Sequence, residues 1–261
     1  MSRILRGDGP VTVAVATTGT TAAECLEQGR VARGAGADLV ELRADLLDGA
    51  PDAARTAELA EHLSADCAPV PVLITVRSVA EGGGARLEGE AWAEHLTRVI
   101  DHLADRGAAA SQGAADLRGV PAAVDVEIQR PGAAGLIDRA HRAGLEAVVS
   151  FHDMTATPAD AQLHEVLARM ARLGADLAKI AVMPAGPADV ARLLAVTASA
   201  HETLEVPLAT MAMGEVGMVS RFAAGVFGSR LVFATAGGRP SAPGQLPIED
   251  LRRAMALLAV P

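Results

Sequence analysis

The chain has 261 residues, a formal net charge of -9 at pH 7 and 2% aromatic residues, none of them tyrosine. Nucleic-acid surfaces need basic residues for phosphates and aromatic residues for base stacking, so this composition argues against a nucleic-acid partner. No stretch approaches ~18 uninterrupted apolar residues, and the N-terminus MSRILRGDGP lacks an apolar signal-peptide core. We therefore expect a cytoplasmic protein without membrane partners, in which Cys25 and Cys67 are reduced.

Eight short apolar runs alternate with stretches of helical character. Each run is nearly continuous in apolar residues, which is typical of parallel strands covered on both faces. The predicted strands are 11–17, 39–45, 70–77, 122–128, 147–153, 177–184, 207–214 and 230–237. Between them, apolar residues spaced three and four apart predict helices, as at 21–36, 90–107 and 187–202.

Strand and helix repeat every ~25–35 residues, as βα units do. Eight units predict an α/β fold, a (β/α)8 TIM barrel that forms a single domain over residues 1–261. A doubly wound open sheet is the rival, disfavoured by the count of eight and by the missing GxGxxG motif. Among the helix signals, Asp160 and Ser220 are predicted N-caps, and Gly144 and Gly174 are predicted to end helices.

Lys179 stands out because every other residue among the 23 lysines and arginines is arginine. Arginine can replace lysine as a surface charge but not as a nucleophile, since guanidinium does not lose its proton at usable pH. A lone lysine in a strand is more often one half of a structural ion pair than a catalytic group. The position of Lys179 in the sixth predicted strand, among carboxylates and a histidine, favours catalysis.

Further functional side chains end or follow the other predicted strands, where a barrel brings them into one pocket. An unpaired buried charge is costly, so each charged residue has to be paired or face a wet cavity. The set is Glu41, Arg43, Asp45, Arg77, Glu81, Asp125, Glu127, His152, Asp153, Met211, Met213, Arg221, Ser241 and Gln245. Ser241 and Gln245 lie in the Pro/Gly/Ser-rich cluster 237–245, which is predicted to be a functional loop.

Structural explanations stay open for some of these residues. Glu41 and Arg43 share one face of a strand, so a buried ion pair alone explains them. Asp125 and Glu127 also share a face and need a cation between them, for which Arg43 or Lys179 is available.

Two motifs suggest other chemistries but lack their remaining parts. His152 and Asp153 resemble a metal-hydrolase pair, yet no further spaced His and Asp ligands are evident, so we predict no metal site. The run Gly82–Gly84 lacks the Lys-Ser/Thr of a phosphate-binding P-loop and is interpreted first as a flexible loop.

An amine, an imidazole and several arginines at one barrel mouth point to carbonyl chemistry. The neutral amine of Lys179 would attack a ketone, so burial and neighbouring positive charge are expected to favour the neutral form. The resulting iminium acidifies the adjacent C–H, and His152, oriented by Glu81, is suited to moving that proton. Arginines would bind an acidic substrate. These residues predict a cofactor-free lyase or aldolase that acts on an anionic carbonyl compound.

Six motifs, in order and over nearly the whole chain, resemble the type I 3-dehydroquinate dehydratase family. They are VELRAD, TVRSVAEGG, SFHDMTATP, AKIAVMP, MGEVGMVSRFAAGVFGS and SAPGQ. The resemblance implies syn dehydration of 3-dehydroquinate to 3-dehydroshikimate in the shikimate pathway. It also implies a homodimer that needs no metal, nucleotide or flavin.

The resemblance assigns roles to individual residues. Lys179 forms an imine with the substrate, His152 is the general acid and base, and Glu81 is its carboxylate partner. The resemblance implies that Glu41, Arg43 and Arg77 contact substrate hydroxyls and that Arg221 binds the substrate carboxylate. It implies lid contacts from Ser241 and Gln245 and apolar walls formed by Met211, Met213 and Phe233.

Two other functions stay open. One is a class I aldolase-type barrel, which also uses a lysine imine, and the other is a non-catalytic barrel that binds an anionic metabolite. His152 and the SAPGQ loop favour dehydration over C–C cleavage, and a non-catalytic barrel would not need both Lys179 and His152. The sequence does not distinguish a biosynthetic from a quinate-degrading role, since the reaction is the same.

Overall fold

The structure, a computed structural model, describes residues 4–5, 10–49, 52–87, 89–111 and 121–258. The strands are β1 (Thr12–Ala16), β2 (Leu39–Arg43), β3 (Val72–Thr75), β4 (Ala123–Glu127), β5 (Glu146–Asp153), β6 (Leu177–Val182), β7 (Leu208–Ala212) and β8 (Leu231–Ala234). The α-helices are α1 (Ala22–Gly34), α2 (Ala53–Cys67), α3 (Glu90–Ser111), α4 (Ala133–Arg142), α5 (Asp160–Arg172), α6 (Pro187–Thr203), α7 (Val219–Phe222) and α8 (Ile248–Leu258). All eight predicted strands are present. Each lies inside its predicted range or extends one residue beyond it, and the predicted ranges run up to three residues further than the strands.

The strands are parallel and form one sheet in the order β7-β6-β5-β4-β3-β2-β1-β8. At the remaining seam, the Arg230 N–H donates to the Leu208 carbonyl at 2.7 Å, and the Thr210 N–H donates to the Ser229 hydroxyl at 3.2 Å. This nearly closed sheet with its surrounding helices confirms the predicted (β/α)8 barrel. The single domain over residues 1–261 stays a prediction, because parts of that range lie outside the described residues.

Both faces of the strands are buried, which explains the nearly continuous apolar runs. On β2, Val40 and Leu42 pack in the core between sheet and helices, whereas Leu39 packs inside the barrel. The layer inside the barrel includes Leu39, Leu73, Ala123, Val148, Leu177, Ala209 and Leu231. Because side chains alternate along a strand, the residue two positions further on also faces inward. Those residues are Glu41, Thr75, Asp125, Ser150, Lys179, Met211 and Phe233.

Helix boundaries follow several of the sequence signals. Helix α1 begins with a capping box, in which the Thr21 hydroxyl accepts from the Glu24 N–H and the Glu24 carboxylate accepts from the Thr21 N–H. After α4 and α5, Gly144 and Gly174 adopt φ angles of +73° and +83°, which confirms both predicted helix ends.

The two predicted N-caps are wrong. Asp160 is the first residue of α5, and its carboxylate accepts from the Arg192 side chain at 2.8 Å. Ser220 lies within α7, where its hydroxyl donates to the Gly217 carbonyl and accepts from the Ala212 N–H. In both cases the side chain bonds a partner other than the first-turn N–H groups, a choice that short polar residues often have.

None of the helices in the described ranges is long and apolar enough to cross a membrane. Cys25 and Cys67 are buried free thiols, as predicted. Burial raises the pKa of both thiols, to about 11 for Cys67, so neither has the thiolate character of a reactive cysteine.

A pair of leucine-to-alanine substitutions tests the packing of the helices. Leu63 is fully buried where α2 contacts α1, whereas Leu257 on α8 is 84% exposed. We expect Leu63→Ala to lower the free energy of unfolding by about 2–5 kcal/mol, because it leaves a cavity. Leu257→Ala should change it by less than about 0.5 kcal/mol. Urea titration followed by circular dichroism measures both, and equal effects would contradict this packing.

Candidate active site

A cavity opens at the C-terminal ends of the strands, where a (β/α)8 barrel carries its active site. The twelve residues to which the family resemblance assigns a role all line it: Glu41, Arg43, Arg77, Glu81, His152, Lys179, Met211, Met213, Arg221, Phe233, Ser241 and Gln245. Four other residues that were predicted to enter the pocket do not line it: Asp45, Asp125, Glu127 and Asp153. The sequence reasoning missed Gly82, Met154, Ala181, Ala242 and Pro243, which also line it. Alternation could have found Ala181, since it lies two residues after Lys179 on β6. Met154 lies beyond the end of β5 and carries no such signal.

Lys179 projects from β6 into the floor of the cavity and is buried. Its Nζ lies 3.3 Å from Asp125 Oδ2, 3.5 Å from Glu41 Oε1 and 4.6 Å from the centroid of the Phe233 ring. These neighbours attract an ammonium group. The expectation of positive charge around Lys179 is therefore wrong for its nearest contacts, which are two carboxylates and an aromatic ring.

Arg77 joins the carboxylates of β4 below the cavity. Its guanidinium donates to Asp125 at 2.7 Å, to Glu127 at 3.0 Å and to the Ser150 hydroxyl at 2.9 Å. The cation between Asp125 and Glu127 is thus Arg77, not Arg43. Of these two carboxylates, Lys179 contacts only Asp125. Burial acts to raise the pKa of Asp125, but Arg77 and Lys179 outweigh it and hold that pKa below its ordinary value.

Arg43 pairs with Asp45, not with its strand neighbour Glu41. The guanidinium donates to both oxygens of Asp45, at 2.8 and 2.7 Å, and the Gly84 N–H donates to the same carboxylate at 3.0 Å. This leaves Glu41 to accept from the Thr75 hydroxyl at 2.8 Å and to contact Lys179. The alternative of a Glu41–Arg43 ion pair is wrong, because the chain turns after β2 and brings Asp45 back onto the guanidinium.

His152 and Glu81 form a buried pair at one side of the cavity. The ring Nδ1 lies 2.8 Å from Glu81 Oε2, and the His152 backbone N–H donates to that oxygen at 3.1 Å. Burial, together with the charges of Arg77, Lys179 and Arg43, lowers the pKa of His152 well below its ordinary value. Burial also raises the pKa of Glu81, to about 8, despite the opposing effect of Arg77.

Both shifts favour the neutral members of the His152–Glu81 pair. Because the lowered pKa keeps the imidazole neutral, the contact with Glu81 is a hydrogen bond rather than a fixed ion pair. Because Nδ1 is engaged with Glu81, the other ring nitrogen, Nε2, is the one available to a molecule in the cavity.

Arg221 is a buried guanidinium without a carboxylate partner among the described residues. It donates to the Pro243 carbonyl at 3.1 Å and contacts the Met211 sulfur at 3.7 Å, and its Nε has no hydrogen-bond partner. Burial lowers the pKa of Arg221 to about 10. A buried cation with an unused donor, in a cavity wall, is suited to bind an anion.

Asp153 does not line the cavity. Its carboxylate accepts from the Thr155 N–H and hydroxyl and from the Ala156 N–H, which closes the turn after β5. In the part of the chain that the structure describes, no group of three or more His, Cys, Asp or Glu is placed to hold a metal ion. That the protein works without a metal or cofactor stays a prediction.

The sequence matches the model of one protein family, described as type I 3-dehydroquinase, over residues 13–260. It is 35% identical over 254 residues to a 3-dehydroquinate dehydratase of Listeria monocytogenes serotype 4b, covering 97% of this chain and 94% of the relative. It is 36% identical over 255 residues to a 3-dehydroquinate dehydratase of Klebsiella pneumoniae, covering 97% and 95%.

Solved structures give the same result. The crystal structure of 3-dehydroquinate dehydratase from Geobacillus kaustophilus HTA426 has a TM-score of 0.85 and 30% sequence identity to this chain, over 97% of this chain and 93% of that one. This chain therefore belongs to the type I 3-dehydroquinase family, as the six sequence motifs predict.

The protonation of His152 is directly measurable. We expect its ring nitrogens to keep the chemical shifts of a neutral imidazole as the pH falls through 6.5, the ordinary pKa from which burial lowers it. Nitrogen-15 NMR of the ligand-free protein measures this, and the His152→Gln variant identifies the signal by its loss. Protonation of His152 at or above its ordinary pKa would contradict the assigned environment.

Proposed function

We propose that this chain catalyses the dehydration of 3-dehydroquinate to 3-dehydroshikimate in the shikimate pathway. Family membership supports the reaction. The observation that carries the assignment is the content of one cavity: a buried lysine amine, an imidazole held through Nδ1, and a guanidinium that has no carboxylate partner in the described ranges. A nucleophile for a ketone, a proton carrier and an anion-binding group are the three things that this reaction requires.

The first step is covalent. The neutral amine of Lys179 attacks the C3 ketone of the substrate to form a carbinolamine. The carbinolamine hydroxyl takes up a proton and leaves as water, so that a cationic iminium remains. Asp125 and Glu41 lie within 3.5 Å of Nζ, so they contact the cationic iminium once it has formed. The same carboxylates therefore stabilise positive charge at the position where the reaction creates it.

The second step moves a proton. His152 takes a proton from C2 through Nε2, and the electron pair passes to the iminium nitrogen to form an enamine. The enamine then expels the C1 hydroxyl, which receives the proton from His152 and leaves as water. Hydrolysis of the product iminium releases 3-dehydroshikimate and restores the amine of Lys179. Glu81 holds the imidazole in place through both transfers.

The remaining cavity residues bind the substrate. We assign the carboxylate to Arg221, because a buried guanidinium with an unused Nε gains most from an anion. Glu41, Arg43 and Arg77 would contact the substrate hydroxyls, and Ser241 and Gln245 would cover the substrate. Met211, Met213 and Phe233 would form apolar walls.

The reaction as written uses side chains alone, so we propose an enzyme without a metal or organic cofactor. We also propose a cytoplasmic homodimer. These two proposals rest on the family resemblance and on the sequence composition, and sedimentation velocity would measure the state of assembly.

Borohydride reduction tests the imine. We expect the protein treated with 3-dehydroquinate and borohydride to carry a covalent adduct on the peptide that contains Lys179, measured by mass spectrometry. Lys179→Arg keeps the positive charge but cannot form an imine, so it should show neither adduct nor turnover. An adduct elsewhere, or turnover in Lys179→Arg, would remove Lys179 from its assigned role.

Loss of the imidazole should separate the two steps. In His152→Ala we expect borohydride to trap the substrate on Lys179 as before, while kcat falls by about 10²–10⁴-fold because proton transfer loses its carrier. The assay follows formation of the conjugated enone product by its ultraviolet absorbance. Turnover at the unmodified rate would show that another group carries the proton.

A further inference from the structure

The loop Ser241–Gln245, here called the lid, packs against the end of β7 through two glycines. Gly244 has a φ angle of +78°, and a Cβ there would overlap the carbonyl oxygen of Gly214 and lie 2.8 Å from its carbonyl carbon. Gly214 itself has a φ angle of +73° and follows β7 by two residues. The two backbones therefore approach each other at a distance that no side chain at residue 244 permits.

The lid residue beside this contact holds Arg221. The Pro243 carbonyl accepts two hydrogen bonds, from the Gly214 N–H at 3.2 Å and from Arg221 Nη2 at 3.1 Å. One oxygen thus connects the lid, the end of β7 and the buried guanidinium. If the lid tip moved, Arg221 would lose this acceptor.

The rest of the lid is held within itself and at its base. The Ser241 N–H donates to Gln245 Oε1 at 2.9 Å, and Gln245 Nε2 donates to the Ser241 hydroxyl at 3.0 Å. At the base, the Thr235 N–H donates to the Leu246 carbonyl at 2.8 Å, and the Ile248 N–H donates to the Thr235 carbonyl at 2.9 Å. These bonds define the shape of the loop, whereas the Gly244–Gly214 contact determines where its tip lies on the barrel.

We propose that Gly214 and Gly244 are positioning residues for substrate binding. Their close backbone contact seats the lid tip, and the seated Pro243 carbonyl holds the Arg221 guanidinium in the direction from which it meets the substrate carboxylate. The identity of that ligand rests on the proposed function, whereas the Gly244–Gly214 contact, here called the seat, does not. Lys179, His152 and Glu81 stand on β6, on β5 and after β3, and they make no hydrogen bond to the lid, so the chemical steps depend on the seat less than binding does.

Three glycine-to-alanine variants separate the contact from backbone strain. Gly244→Ala adds both the strain of a left-handed φ and the overlap with Gly214. Gly36→Ala adds the strain alone, since its φ is +85° and no atom would lie within 4 Å of its Cβ. Gly135→Ala, on α4, adds neither, because its Cβ would also meet no atom within 4 Å and its φ is not left-handed. Neither control residue lines the cavity.

Hydrogen–deuterium exchange tests the seat independently of enzyme activity. The Gly214 N–H has the Pro243 carbonyl as its acceptor, so Gly244→Ala should speed its exchange by about tenfold or more, while both control variants leave it near the unmodified rate. Mass spectrometry of peptides spanning residues 210–218 gives the rate. If the Gly214 amide stayed equally protected in a folded Gly244→Ala protein, the Gly244–Gly214 contact would not be what holds the lid tip.

Steady-state kinetics measure the positioning of Arg221. We expect Gly244→Ala to raise KM for 3-dehydroquinate by about tenfold or more and to change kcat by less than about threefold, with both controls near the unmodified enzyme. An unchanged KM alongside faster exchange would overturn the role in binding. Absence of turnover in the unmodified protein would instead contradict the proposed function. The exchange rates would still show whether the Gly244–Gly214 contact holds the lid tip.

Discussion

The ion pairs of the buried Arg77 guanidinium, at the base of the cavity, are the interactions on which the site depends. The guanidinium bridges Asp125 and Glu127 of β4 and the Ser150 hydroxyl of β5. Burying two carboxylates side by side would be prohibitive without a cation between them, and removing one partner of such a group typically costs about 3–5 kcal/mol. With Arg77 in place, the polar layer can lie directly on the apolar layer inside the barrel.

The position of Lys179 follows from this arrangement. Asp125 uses one oxygen to accept from Arg77 and also to contact the lysine amine, so the network sets the charge that the amine meets. A second independent pair, Arg43 with Asp45, holds another cation at the rim and ties the Gly84 backbone to it. The cavity is therefore lined by charges that are already paired below and at its rim.

Among the buried arginines of the described residues Arg221 is the exception, and we propose that this difference serves ligand binding. Arg43 and Arg77 meet carboxylates, whereas Arg221 meets a carbonyl and a thioether and keeps one donor unused. In a low-dielectric wall this is the cation with most to gain from an anionic ligand. A lid that supplies the carbonyl gives the cavity a direct link between covering a ligand and binding its charge.

The amino-acid sequence by itself determined the eight strands and the βα repeat that forms the barrel, because continuous apolar runs and helical spacings report local geometry. The predicted barrel, with the family motifs, was enough to bring the twelve residues that the resemblance assigns to one cavity, whereas Asp45, Asp125, Glu127 and Asp153 do not line it. Only the tertiary structure decided which charges pair. Arg43 pairs with Asp45 instead of Glu41, and Arg77 is the cation between Asp125 and Glu127, where Arg43 or Lys179 was predicted. The side chains of Asp160 and Ser220 bond groups other than the first-turn N–H groups of their helices. Pairing depends on strand register, on the turns after the strands and on side-chain reach, which no local pattern encodes.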